Sequence, residues 1–222
     1  MRRDKPADAR RPQAVRPVFV AALVVIGVVT LLLSGRLGVF RGHGLLSASP
    51  TVTAGVAVPL YPRNDPWAAY LPAPTACAES TNASAPATDA EGAMICVLDY
   101  ARMRAALPPL PLSPLLNRSA ELKAGDIIRC GQFAHAACGK DPRAVADEVG
   151  SPQVLWGENL ALSPGPFAAA RVAADGWLNS EHHRENLFDP RWTEQGIAEV
   201  VVPEFQGQRN VAIWVSEFGE RR

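Results

Sequence analysis

From residue 89 onward the apolar positions recur with a helical period. Met94, Val97, Leu98, Ala101 and Ala105 fall on one face of a helix, and Asp89 is placed to cap its start. The run LPPLPLSP, residues 107–114, ends that helix, because proline lacks the amide donor a helix needs. Ser113 followed by Pro114 predicts the start of a second helix, with Leu116, Ala120, Ala124 and Ile127 facing inward. Residues 129–157 hold cysteines, glycines and GKDP, and read as irregular. A third helix is expected from about Pro166, with Phe167, Ala170, Ala174, Trp177 and Leu178 as its apolar stripe. Ser180 can cap a further helical turn over 181–187. Two strands close the chain, EQGIAEVVV and RNVAIWVSEF. In the second, Val211, Ile213 and Val215 alternate with Ala212, Trp214 and Ser216. Helices first and a strand pair last predict an α+β layered fold. Trp156, Trp177, Trp192 and Trp214 are expected to pack its core.

The first 88 residues follow other rules. The segment VFVAALVVIGVVTLLL, residues 18–33, carries no charge. As a helix it spans about 24 Å, close to the thickness of a bilayer core. We read 17–35 as a transmembrane signal-anchor, with a cleaved secretory signal as the alternative. Residues 1–16 form a basic cytoplasmic tail, since basic residues hold the flanking segment on the cytoplasmic side. Residues 36–88, rich in Ala, Pro, Ser and Thr, read as a flexible linker, and 89–222 as the folded domain. The domain then lies on the extracytoplasmic side of a cell membrane, or is secreted if the signal is cleaved.

Charge narrows the partners. The chain is neutral overall, with 22 basic and 22 acidic residues, but the tail is net basic and the remainder mildly acidic. A nucleic-acid binder would show a basic stripe, so no nucleic-acid partner is expected. The four cysteines, Cys77, Cys96, Cys130 and Cys138, suit two disulfides in an exported chain. Of three connectivities, Cys77–Cys96 with Cys130–Cys138 is preferred because each closes a short loop. Close Cys-x-x-Cys pairs of the kind zinc clusters use do not occur.

Three polar clusters stand out in the folded part: FAH with His135, GENLAL with Glu158, and SEHHREN with Glu181, His182 and His183. Two imidazoles and a carboxylate suit zinc, leaving a fourth position for water. Glu158 has the alternative role of tying loop amides to the following helix. The motif His-Glu-x-x-His and the nucleophile elbow Gly-x-Ser-x-Gly are both missing.

The ordered set LDYARMRAALPPLPLSPLLNRSAELKA, FAH, GENLAL and DGWLNSEHHRENLFDPRWTEQGIAEV resembles the bacterial branch of the CAP superfamily, the SCP-like extracellular domain, over about residues 90–218. The resemblance implies an α-β-α sandwich with a cleft. It places the family's cleft residues on His135, Glu158 and His183. Such clefts can hold a divalent metal, often zinc. Some members bind sterols or fatty acids, and some bacterial members are linked to the cell wall or spore coat. His182 stands where many relatives have glycine, and Ser180 where many carry a second acid. Ser180, Glu181 and His182 are therefore expected to flank and support the three. The expected function is a membrane-tethered extracytoplasmic domain whose cleft binds a divalent metal and a lipid, cell-wall or protein ligand. The alternative is a metal-dependent, peptidase-like hydrolase.

Overall fold

A computed structural model describes residues 65–221. The basic tail, the signal-anchor 17–35 and the linker up to residue 64 lie outside the described residues. Five helices and three strands follow in the order α1 (Ala87–Arg104), α2 (Pro114–Cys130), α3 (Ala144–Glu148), β1 (Gln153–Pro164), α4 (Ala170–Leu178), α5 (Glu181–Leu187), β2 (Glu194–Phe205) and β3 (Gln208–Arg221). Helix α1 starts two residues before the expected cap, with Pro86 at the cap position and Asp89 in the first turn. Ser113 caps α2 as expected, its hydroxyl accepting from the Leu116 amide with Pro114 at the first helical position.

The three strands form one antiparallel sheet in the order β1-β3-β2. Both faces of the central strand are covered. Val211, Ile213 and Val215 join Ala120, Ala124 and Ile127 of α2, whereas Ala212, Trp214 and Phe218 join α1 and α4 through Val97, Leu98, Ala174 and Trp177. The result is an α-β-α sandwich with α2 on one side and α1, α4 and α5 on the other.

Helix α3 and the first five residues of β1 fall in the stretch 129–157 that was expected to be irregular. The polar β1 residues Glu158, Asn159 and Ser163 are buried and break the apolar run that marks a covered strand. The linker expectation also changes over 65–88. Trp67, Tyr70, Leu71, Ala83 and Ala85 pack on the core, Ser80 is fully buried, and Cys77 is bonded to Cys96 of α1. The Ser80 carbonyl accepts from the Arg171 amide at 2.8 Å. This arm is joined to the domain rather than extended from it. Cys130 pairs with Cys138, giving the expected connectivity.

Arg102 of α1 is completely buried and reaches the carbonyls of Pro108, Leu187 and Asp189, at 3.0, 2.7 and 3.3 Å. It thereby anchors the end of α5 to α1. Among the described residues no helix is long and apolar enough to cross a membrane.

Candidate functional site

His135 sits on the loop after α2. The Cys130–Cys138 disulfide closes that loop, and the Cys138 amide donates to the Gln132 side chain at 2.9 Å. His135 is half exposed and presents Nδ1 to Oε1 of Glu158 at 2.7 Å. The Glu158 side chain is only 1% exposed, so this carboxylate has left water and depends on its partners.

The Gly-Glu-Asn run explains how Glu158 is held. A β-carbon on Gly157 would lie 2.9 Å from Oδ1 of Asn186 and 3.0 Å from the ring of Trp192, so glycine is what lets α5 close on β1. The Asn186 amide donates to the Glu158 carbonyl at 3.0 Å and to Oδ1 of Asn159 at 3.1 Å. Asn159 in turn donates to the His183 carbonyl at 3.0 Å. These ties fix the histidine-bearing helix against the strand that carries Glu158.

Two further groups complete the buried cluster. Lys123 of α2, 2% exposed, brings its ammonium to 3.5 Å from Oε2 of Glu158 and donates to the His135 carbonyl. Glu217 of β3 pairs with Glu158 across the ladder and is wholly buried. Its Oε1 accepts from Ser119 at 2.8 Å and its Oε2 from the Trp156 ring nitrogen at 3.2 Å. Burial pushes the Glu217 carboxyl up to about 8. Hydrogen bonds from Ser119 and Trp156 oppose this, the Glu158 charge adds to it, and the Lys123 charge opposes it. Glu217 is therefore protonated at neutral pH, and Glu158 is the residue whose carboxyl oxygen lies 3.5 Å from the Lys123 ammonium. Trp156, expected in the core, is half-buried and serves this cluster instead.

Lys123 and Glu217 are missing from the set expected from sequence, yet both leave a signal. Lys123 falls on the inward stripe of α2, three residues after Ala120 and four before Ile127. Glu217 continues the parity of Val211, Ile213 and Val215. An ionisable residue on each of two facing apolar stripes is the trace of a buried polar cluster.

His183 enters from the opposite layer, on α5. Burial lowers its pKa, and the charges of His135 and then His182 lower it further, so it is neutral at pH 7. Its Nδ1 is buried and without a hydrogen-bond partner. It lines a groove of about 420 Å³ along the outer edge of β1, walled by Phe133, Leu160, Leu162, Val172 and Trp177. Ser180 lines the same groove. Glu181 is exposed, and His182, 93% exposed, lies 3.6 Å from Glu185. Neither of these two flanking residues joins the cleft.

The donor set was expected to converge on one ion. His135 and Glu158 do come together, but Lys123 stands on the second oxygen of Glu158. Among the described residues no three His, Cys, Asp or Glu side chains are grouped closely enough to hold a metal. The residues as arranged do not fit a zinc centre.

Residues 97–218 match the model of the CAP, cysteine-rich secretory protein, family. The chain belongs to the CAP family. A relative from Bacillus subtilis, the uncharacterized protein YkwD, is 26% identical over 148 residues, covering 64% of this chain and 53% of YkwD. The chain thus spans about half the length of that relative. An extracellular SCP-domain protein from Bacillus anthracis has a similar fold, with a TM-score of 0.51 at 20% identity, over 61% of this chain and 41% of that one. An outer surface protein from Borrelia burgdorferi aligns at a TM-score of 0.49 and 21% identity, over 58% of this chain and 90% of its own. Lys123 and Glu217 lie beside Glu158 in the same buried cluster.

Proposed function

We propose that this chain is a membrane-tethered, extracytoplasmic CAP domain that binds a lipid or lipid-bearing wall component in the groove beside His183. The groove itself carries this reading: apolar walls run along β1, and His183 is among the few polar residues that line it. Such a lining favours a ligand that brings an apolar segment to Leu160, Leu162 and Trp177 and a hydrogen-bonding group to His183. Support for location comes from the uncharged segment 18–33 behind a basic tail, and from two disulfides. The Bacillus anthracis and Borrelia proteins are described as extracellular and outer-surface.

A hydrolase acting through a metal-held water needs donors converging on one ion, and no observation favours that alternative. Full-length protein purified in mild detergent is expected to retain lipid detectable by mass spectrometry and to bind a fluorescent fatty acid. Val172→Trp fills the groove from a half-buried position and is expected to abolish binding without unfolding the domain. Equal binding by the variant would reject the groove as the site.

A further inference from the structure

We propose that Lys123 is the resident cation of the cleft: its ammonium occupies the place on Glu158 that a divalent metal would need, and the cleft works without one. The inference goes beyond the ligand reading above and does not depend on which ligand binds.

Glu158 is sealed from solvent and has two oxygens to satisfy. One lies 2.7 Å from Nδ1 of His135; the other has no hydrogen-bond partner and faces the Lys123 ammonium at 3.5 Å. The same ammonium donates to the His135 backbone carbonyl, so one cation neutralises the carboxylate and positions the loop that carries the histidine. Helix α2 supplies this from one face: Ser119, one turn before Lys123, meets Glu217 while Lys123 meets Glu158. The ammonium thus sits between a carboxylate oxygen of Glu158 and the His135 carbonyl. A metal ion on Glu158 would lie against that positive charge, and its approach is opposed by Coulomb repulsion in a site with little water to screen it.

The inverse follows. Without the lysine amine, Oε2 of Glu158 and the His135 carbonyl would face a space once filled by a cation, with oxygen donors suited to a divalent ion. The identity of residue 123 decides whether the cleft contains its cation or must bind one.

The test uses full-length protein in detergent, disulfides formed, stripped with a chelator. Zinc uptake is measured by competition with a chromogenic chelator, and unfolding temperature is measured with and without zinc. Wild type is expected to take up no stoichiometric zinc at micromolar concentration and to unfold at the same temperature with zinc or chelator. Lys123→Met is expected to unfold at lower temperature, to recover on adding zinc, and to bind zinc at least about ten-fold more tightly than wild type. That gain is expected to vanish in Lys123→Met combined with Glu158→Gln. Lys123→Arg keeps a cation in place and is expected to fold and stay blind to zinc, which preserves the test if the methionine variant does not fold. Stoichiometric zinc in wild type that is lost in Glu158→Gln would overturn the proposal. So would a Lys123→Met protein of unchanged stability that gains no zinc, or a folded Lys123→Arg protein that binds it.

Discussion

Replacing Glu217 with glutamine should remove a specific pH dependence of stability. Inside the fold this carboxyl titrates at about 8, against an ordinary 4.5, because it is buried beside the charge of Glu158. Between those pH values the folded chain holds a proton that the unfolded chain has released. Stability therefore falls as pH rises through that window. Each pH unit is worth about 1.4 kcal/mol, so the window spans roughly 5 kcal/mol at most. Glu199 overlaps the lower part, since burial and Glu91 raise it to about 7. Over pH 7 to 8 Glu217 contributes roughly 1 kcal/mol, the larger part of the slope, with the tail of the Glu199 titration beneath it. Glutamine keeps the shape and can still accept from Ser119 or Trp156, but it does not ionise. Denaturant unfolding of full-length protein in detergent, followed by tryptophan fluorescence at a series of pH values, gives the two curves. The wild-type curve is expected to keep falling between pH 7 and 8 while that of Glu217→Gln levels off. Parallel curves across pH 6 to 8.5 would refute the assignment of a raised, buried acid at this position.

Two further outcomes follow from packing and covalent closure. A β-carbon on Gly196 would lie 2.3 Å from the carbonyl carbon of Leu116, so Gly196→Ala should cost about 3 kcal/mol or more by forcing β2 off α2. Gly125→Ala meets nothing within 4 Å inside α2 and should instead stabilise by roughly 0.5–1 kcal/mol; thermal unfolding compares the two. Converting Cys130 and Cys138 to serine opens a closure of eight positions and should cost roughly 2–3 kcal/mol, with faster amide exchange concentrated in the His135 loop.

Much of this architecture was legible in the residue pattern, for reasons visible in particular elements. Ser113-Pro114 marked the start of α2 because a hydroxyl cap and an N-terminal proline act locally. The alternation in β3 was clear because each face packs a different helical layer. Strand β1 was hidden because its buried positions include Glu158, Asn159 and Ser163; Glu158 meets Lys123 of α2, and Asn159 meets Asn186 of α5. The 65–88 arm looked like a linker by composition; its order comes from the disulfide to α1 and from Trp67 and Tyr70, long-range terms that composition does not register. In the cleft, His135, Glu158 and His183 were found through the order of their motifs. Lys123 and Glu217 belong to no motif, and their meaning appears only when α2 is laid on β3.

The central claim is that a lysine, not a metal, sits beside the buried carboxylate of Glu158. The most direct measurement is a crystal structure of the protein grown with excess zinc and recorded at the zinc absorption edge. The Lys123 ammonium is expected next to Glu158, with no anomalous peak between that carboxylate and His135. A zinc peak held jointly by His135, Glu158 and His183, with Lys123 displaced, would contradict it.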